Sequence, residues 1–265
     1  MDRHILQSMM EVRDGALVRE QVGLIVEEPL SIRVEGAPYA VVMRTPGEEK
    51  EHVAGFCLAE GLVEGPGDIV TIGFCTEAGT NVATVTLTDA RRQQVAELLE
   101  RKGFVSQTSC GICGKAVVDD IRQVVAPIAV TDRFSGARLM ALVDGLPRQQ
   151  SLNRETRGAH AAMILDGREM PLALAEDVGR HNALDKAIGR VMLDGRLSEA
   201  ELGIVSSRLS YEMVQKAARA GLQVLVGLSR PTALAVDLAL SVGITLVCVQ
   251  SGRLMVFGEA SRVFI

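Results

Sequence analysis

Between residues 161 and 250 the hydrophobic pattern switches regularly between two periods. Short apolar runs bounded by glycine or charged residues are typical of buried strands, and apolar residues three or four positions apart are typical of helices. The strands are predicted at 161–167, 169–179, 202–207, 222–229 and 244–250, and the helices at 181–192, 210–221 and 232–243. The first two strands flank a turn at Asp166 and Gly167. Strands that alternate with helices in this way predict βαβ units and a largely parallel sheet.

The first hundred residues show a different pattern, with short strands and one distinct helix. In the segment "RTPGEEKEHVAGFCLAEGLV", Thr45 is predicted as the N-cap and Pro46 as the first helical residue. Glu48 would close a capping box, and Gly61 would end the helix. The other elements predicted here are a strand at 81–89 and a helix at 90–103.

These patterns predict an α/β protein whose N-terminal part is α+β. We expect a smaller N-terminal α+β domain at residues 1–105 and a C-terminal α/β domain at residues 121–265. A mobile loop at residues 106–120, which carries a pair of cysteines, would join them.

The charge of the chain argues against binding to nucleic acid. Its 33 acidic and 28 basic residues give a formal net charge of -5, which disfavours binding to a phosphate backbone. The amino terminus has no apolar core long enough for a secretory signal. The longest apolar stretch, from Ala233 to Val249, contains Asp237 and a helix-ending Gly243, so it does not predict a membrane span. We therefore expect a cytoplasmic protein with no membrane segment.

The five cysteines are expected to be reduced, because an odd number in a reducing compartment does not indicate a disulfide framework. Cys57 lies on the apolar stripe of the first helix, and Cys248 lies in the last predicted strand. We interpret both, together with Cys75, as small buried hydrophobic residues. The remaining two, Cys110 and Cys113, form the CxxC pair of "TSCGICGK".

Several kinds of chemistry use a CxxC pair, and the neighbouring residues indicate which of them this sequence can support. Structural zinc usually needs four ligands, and the chain offers a single pair. A zinc deaminase would add His160, but Ala162 stands where its acid/base glutamate is required. Thioredoxin-like chemistry needs the pair at a helix N-terminus after a strand, whereas this pair is flanked by Gly111 and Gly114.

Glycines on both sides suit a loop whose cysteine meets two partners in turn. Persulfide relay has this requirement, because a thiolate takes sulfur from a donor and then presents it to an acceptor. Lys115 would favour the thiolate of Cys110. An inert reduced loop remains the alternative.

Two similar sequence segments predict an anion site. Ser207 and Arg208 follow one parallel strand, and Ser229 and Arg230 follow the next, each pair just ahead of a helix. Phosphate groups favour this position, and open α/β sheets bind ligands at this edge. Serines are also good N-caps and loop arginines are usually solvated, so a purely structural role is the alternative. A third helix start, in "EDVGRHNALDK", adds the polar residues at 180–182.

Five segments follow one another along the chain: "RTPGEE", "TSCGICGK", "EDVGRHNALDKAIG", "SSRLSYEMVQKAARAG" and "SRPTALAVDLALSVGITLV". Together they resemble the FdhD/NarQ family of formate dehydrogenase accessory sulfurtransferases. The resemblance covers roughly residues 20–260. It implies a cytosolic homodimer that accepts sulfur from a cysteine desulfurase. The acceptor would be the molybdenum cofactor, in its bis(molybdopterin guanine dinucleotide) form, before insertion into formate dehydrogenase.

The resemblance also implies a cytidine-deaminase-like C-terminal domain and roles for individual residues. Cys110 matches the persulfide-bearing cysteine and Cys113 its partner. The cofactor-contacting turn would comprise Val249, Gln250, Ser251, Gly252 and Arg253. The sequence departs from the family pattern at Val249, Ser251 and Arg157.

These lines combine into one hypothesis. Ser207, Arg208, Ser229 and Arg230 would hold the guanine dinucleotide phosphates, with GDP or GTP as mimics, while Cys110 reaches the molybdenum end. Two alternatives stay open: a cofactor-binding chaperone without sulfur transfer, and a zinc-stabilised structural module. No resident metal is expected under the leading hypothesis.

Overall fold

A computed structural model gives the fold and describes residues 2–75, 81–96, 99, 128 and 133–265. The strands are β1 (His4–Arg13), β2 (Ala16–Ile25), β3 (Glu28–Val34), β4 (Ala37–Arg44), β5 (Ile69–Cys75), β6 (Val82–Leu87), β7 (Phe134–Ser135), β8 (His160–Leu165), β9 (Pro171–Asp177), β10 (Leu202–Arg208), β11 (Val224–Ser229), β12 (Thr245–Gln250), β13 (Arg253–Phe257) and β14 (Val263–Phe264). The α-helices are α1 (Glu49–Ala59), α2 (Asp89–Gln94), α3 (Gly136–Gln149), α4 (Ser151–Thr156), α5 (Arg180–Leu193), α6 (Tyr211–Arg219) and α7 (Ala233–Val242).

The N-terminal part is a four-stranded sheet with the order β4-β3-β6-β5. Only β3 and β6 pair in parallel; the other two pairings are antiparallel. Alternate residues of β3 and β6 are buried, as expected for a sheet with one face on the core. The buried face packs into a core that also contains Val53, Phe56 and Leu58 of α1. An antiparallel hairpin of β1 and β2 forms a separate two-stranded sheet.

The C-terminal part is a six-stranded sheet with the order β13-β12-β11-β10-β8-β9. The predicted strands and helices between residues 161 and 250 are all present. The prediction of a largely parallel sheet is wrong, because β10–β11 and β11–β12 are parallel whereas the other three pairings are antiparallel. The sheet is mixed for two reasons. Short turns join β8 to β9 and β12 to β13, and the crossover from β9 through α5 places β10 beside β8 rather than beside β9.

Side chains from the two faces of this sheet enter two different cores. Met163 and Leu165 of β8 pack with α3 on one face, whereas Ala162 and Ile164 face the core formed by α5, α6 and α7. This second core continues into the N-terminal sheet through α1. Both faces of the sheet are therefore covered, and the ends of its strands remain accessible. We call the end at which β10, β11 and β12 finish the sheet edge.

Helices α1 and α5 cross in backbone contact. A Cβ atom at Gly55 would lie 1.9 Å from the carbonyl oxygen of Asp185, and one at Gly189 would lie 1.9 Å from that of Glu51. Only glycine leaves room for such an approach. This crossing joins the N-terminal part to the first helix after β9.

The predicted start of α1 is wrong. The helix begins at Glu49, and Glu48, in the left-handed region with φ 59°, is its N-cap without a side-chain cap hydrogen bond. Thr45 cannot act as the N-cap because it is fully buried and bonded to the C-terminal part of the chain. The predicted end is confirmed: Gly61, with φ 74°, follows the C-cap residue.

Candidate functional site

The predicted anion-binding residues lie together at one edge of the six-stranded sheet. Strands β10, β11 and β12 are parallel neighbours, so their carboxyl ends meet at this edge. Arg208 pairs in register with Ser229, so the two Ser-Arg pairs are adjacent. The side chains of Arg208 and Arg230 are exposed, and no carboxylate oxygen lies within 4 Å of either among the described residues. The edge therefore carries two arginines that are available to an anion.

The serines of these pairs are not N-caps. The N-cap of α6 is Ser210, and that of α7 is Thr232, whose hydroxyl accepts from the N–H of Ala235 at 3.2 Å. Ser207 is buried and donates to the carbonyl of Arg208 at 3.0 Å. A capping role therefore does not explain Ser207 or Ser229.

The turn from Val249 to Arg253 lies at the same edge. Ser251 and Gly252 form a two-residue hairpin turn with φ values of 52° and 70°, and Gln250 and Arg253 are exposed beside it. Val249 belongs to the hydrophobic core, so it can offer a ligand its backbone but not its side chain. The three segments named from sequence are thus brought to one place.

A buried polar network, which the sequence did not predict, holds the neighbouring helix. Asp177 at the end of β9 accepts from the backbone N–H of Thr45 at 3.0 Å and lies 2.7 Å from Nζ of Lys186. Lys186 also donates to the carbonyl of Thr45 at 2.8 Å. Asn182 donates to Asp177 at 2.9 Å and to the carbonyl of Met43 at 2.7 Å. The "RTP" segment is thereby fastened to the first turns of α5.

A second buried ion pair lies deeper between the helices. Nζ of Lys216 lies 2.7 and 2.8 Å from the two carboxylate oxygens of Asp185. Burial raises the pKa of Asp185, and the nearby Lys216 opposes that rise. Cys57 lies close by, and burial raises the pKa of its thiol well above the usual value. The prediction that Cys57 is a small buried residue is confirmed.

The other two cysteines outside the CxxC pair differ from each other. Cys248 is fully buried in β12, as predicted, and burial raises the pKa of its thiol. Cys75 is exposed at the end of β5, so the prediction that it is buried is wrong. Strand β5 is an edge strand of the N-terminal sheet, and its last residues leave the covered face. Cys110 and Cys113 lie outside the described residues.

His160, at the start of β8, lies at the same sheet edge as the Ser-Arg pairs. Its Nδ1 is 3.4 Å from the hydroxyl oxygen of Ser206, which accepts from the N–H of Ala161 at 2.9 Å. Burial lowers the pKa of His160, and the charges of Arg180 and His181 lower it further. Ala162, where a deaminase would have its glutamate, is buried in the core. A deaminase reaction has no base at this position.

The described part of the chain offers no cluster of metal ligands and no membrane-spanning helix. Within it, no three His, Cys, Asp or Glu side chains converge as metal ligands. No helix there has both the length and the apolar character needed to cross a membrane.

Known proteins of one family are similar to this chain over nearly its whole length. The model of the FdhD/NarQ family matches residues 25–264. The "Sulfur carrier protein FdhD" of Anaeromyxobacter dehalogenans strain 2CP-1 is 38% identical over 95% of this chain and 91% of that protein. The protein of the same name from Mycobacterium tuberculosis strain H37Rv is 41% identical over 94% of both chains. A crystal structure described as a formate dehydrogenase accessory protein from Desulfotalea psychrophila has the same fold. It matches with a TM-score of 0.78 and 22% identity over 99% of this chain and 100% of that one. On these matches, the chain belongs to the FdhD/NarQ family.

Proposed function

We propose that this protein is a sulfurtransferase that matures formate dehydrogenase. It takes sulfur from a cysteine desulfurase as a persulfide on Cys110 and passes it to the molybdenum cofactor, as bis(molybdopterin guanine dinucleotide). Membership of the family and the name shared by its relatives support the sulfur-carrier role. The observation that carries the acceptor assignment is the convergence of Arg208, Arg230 and the Ser251-Gly252 turn at one sheet edge.

The first step is an exchange between a thiolate and a persulfide. The thiolate of Cys110 attacks the outer sulfur of the desulfurase persulfide; a new S–S bond forms on Cys110, and the desulfurase cysteine leaves as a thiolate. Delivery of the sulfur as sulfide requires two electrons. Cys113 can supply them by closing a disulfide with Cys110, which releases the outer sulfur to the acceptor.

The sheet edge suits the nucleotide part of the acceptor. Arginine is the side chain best matched to phosphate oxygens, and the parallel strand ends place Arg208 beside Ser229, the residue before Arg230. The hairpin turn adds backbone N–H groups from Ser251 and Gly252. This part of the chain would hold the guanine dinucleotide phosphates while the cysteine pair reaches the molybdenum.

We further propose a cytoplasmic homodimer whose C-terminal part is cytidine-deaminase-like. The position of His160 at the start of β8, beside the ends of parallel strands, is consistent with a deaminase-like site that has lost its glutamate. The partners would be a cysteine desulfurase and formate dehydrogenase. With a net charge of -5, nucleic acid is not expected as a partner.

Loading of Cys110 with sulfur is the direct test. After incubation with a cysteine desulfurase and cysteine, the wild-type protein should gain about 32 Da per sulfur in its intact mass, and reductant should remove the gain. Cys110→Ala should gain nothing, because the attacking thiolate is lost. Cys75→Ala is the matched control, since it removes an exposed cysteine outside the pair.

The possible results separate the three functions. A metal-free, folded wild-type protein that gains no sulfur would exclude the relay and favour a cofactor-binding chaperone. Near-stoichiometric zinc bound by Cys110 and Cys113 would favour a structural module.

Binding of GDP tests the nucleotide assignment. The double variant Arg208→Ala, Arg230→Ala should bind GDP at least about a hundredfold more weakly, because each charge-assisted hydrogen bond contributes roughly 1.5 to 3 kcal/mol. Titration calorimetry would measure this. Arg19→Ala, Arg168→Ala changes the net charge equally at exposed positions away from this edge and should bind like the wild type. Wild-type affinity in the first double variant would rule out the assignment.

A further inference from the structure

The sheet edge continues beyond the Ser-Arg pairs to β8 and β9. His160 pairs in register with Asp177, and both lie next to the start of α5. The hydroxyl oxygen of Ser206 accepts from the N–H of Ala161 and lies 3.4 Å from Nδ1 of His160, so one side of the imidazole is held against β10. Burial and the charge of Arg180 lower the pKa of His160. Among the described residues its Nε2 has no hydrogen-bond partner, so this nitrogen can contact a ligand.

Arg180 is a partly buried cation beside this histidine. Within the described part of the chain, no carboxylate oxygen lies within 4 Å of its guanidinium, and its buried Nε has no hydrogen-bond partner. The start of α6 is held beside the start of α5 by the contact of Glu212 with His181, and among the described residues the buried hydroxyl of its N-cap, Ser210, has no partner. Buried donors of this kind cost stability unless another group satisfies them.

The acidic groups nearby already have close partners. Asp177 is engaged by Lys186, and Glu212 lies 2.8 Å from His181, which lowers the pKa of Glu212. Among the described residues, Arg180 therefore has no carboxylate in direct contact, and Glu212, whose pKa it also lowers, is held by His181. A group with several acceptor oxygens and negative charge fits this arrangement.

We propose that His160, Arg180 and Ser210 form a subsite for a tetrahedral oxyanion such as a phosphate group, separate from the Arg208 and Arg230 site. The subsite is on the β8 side of the edge, whereas the proposed nucleotide site is on the β11 side. Its existence does not require sulfur transfer. The test uses inorganic phosphate alone, so that the subsite can fail while the proposed function stands.

The imidazole nitrogens provide a direct readout, because the chain has four histidines. In ¹H–¹⁵N spectra of the Arg208→Ala, Arg230→Ala protein, phosphate should shift the Nε2 signal of His160 in a saturable manner. His52, which is fully buried, and His4, on the β1–β2 hairpin, should not shift and serve as internal controls. The His160→Gln variant assigns the signal.

The variant Arg180→Gln should weaken phosphate binding at least about tenfold, because it removes the charge and the fork of donors. An unchanged His52 signal would show that this variant is folded. If GDP displaces phosphate, the natural occupant is a phosphate group of a nucleotide; if both bind together, it is a separate oxyanion. No saturable shift of His160, or an equal shift of His4 at matched ionic strength, would overturn the proposal.

Discussion

Substitution of Gly189 by alanine should cost about 3 kcal/mol or more in the free energy of unfolding. The new Cβ would lie 1.9 Å from the carbonyl oxygen of Glu51 and 2.6 Å from the backbone nitrogen of Gly55. Both atoms belong to the backbone of α1, so no side-chain rotation can make room. Helices α1 and α5 would have to move apart by more than an ångström, and the core that they share would open.

The same change at Gly145 is the matched control. Gly145 lies inside α3, and no described atom is within 4 Å of a Cβ built there. Alanine at that position should stabilise the protein by roughly 0.5 to 1 kcal/mol, because it lowers the backbone entropy of the unfolded chain. Urea unfolding of both variants would measure the difference. A Gly189→Ala protein as stable as Gly145→Ala would contradict the close crossing.

The local elements of the C-terminal part were predictable because their signals are local. Each buried strand is an uninterrupted apolar run, and α7 has a threonine cap before it and Gly243 after it. The end of a parallel strand is also a local feature, which is why Arg208 and Arg230 could be placed at one edge. Their convergence needs only that β10 and β11 be parallel neighbours.

The long-range arrangement was not predictable from the same signals. Nothing in the residues of β9 or α5 shows that β10 passes to the far side of β8, yet this choice makes the sheet mixed. It also brings Ser206 against His160, two residues that are 46 positions apart in the chain. The site beside Arg180 depends on this antiparallel pairing, which the hydrophobic pattern of a single strand does not indicate.

The start of α1 shows how a tertiary contact can override a local signal. Thr45 and Pro46 have the residue types of a helix start, but the hydroxyl of Thr45 accepts from the N–H of Val178 at 3.0 Å. The hydroxyl of Thr45 is therefore not available as a helix cap, and Glu48, in the left-handed region, is the N-cap instead. One clue was available in the sequence: Lys186 stands on an apolar face of its helix, where a lysine needs a buried partner.

Substitution of Lys186 by methionine should destabilise the protein by about 3 to 5 kcal/mol, because it leaves a buried carboxylate without its counter-ion. Lys186 and Asp177 are both fully buried, 2.7 Å apart, and the lysine also holds the carbonyl of Thr45. Methionine has nearly the same shape, so the loss reports the charge and the hydrogen bonds rather than a cavity. Chemical denaturation at pH 7 would measure it.

Two further variants define what that loss means. Lys50→Met makes the same change at an exposed position of α1 and should alter stability by less than about 0.5 kcal/mol. The double variant Asp177→Asn, Lys186→Met should regain part of the loss, because the unpaired charge is gone. A Lys186→Met protein that unfolds like Lys50→Met would show that the pair does not hold the "RTP" segment on α5. In that case Arg180 and His181, which begin this helix, would need another explanation for their place at the sheet edge.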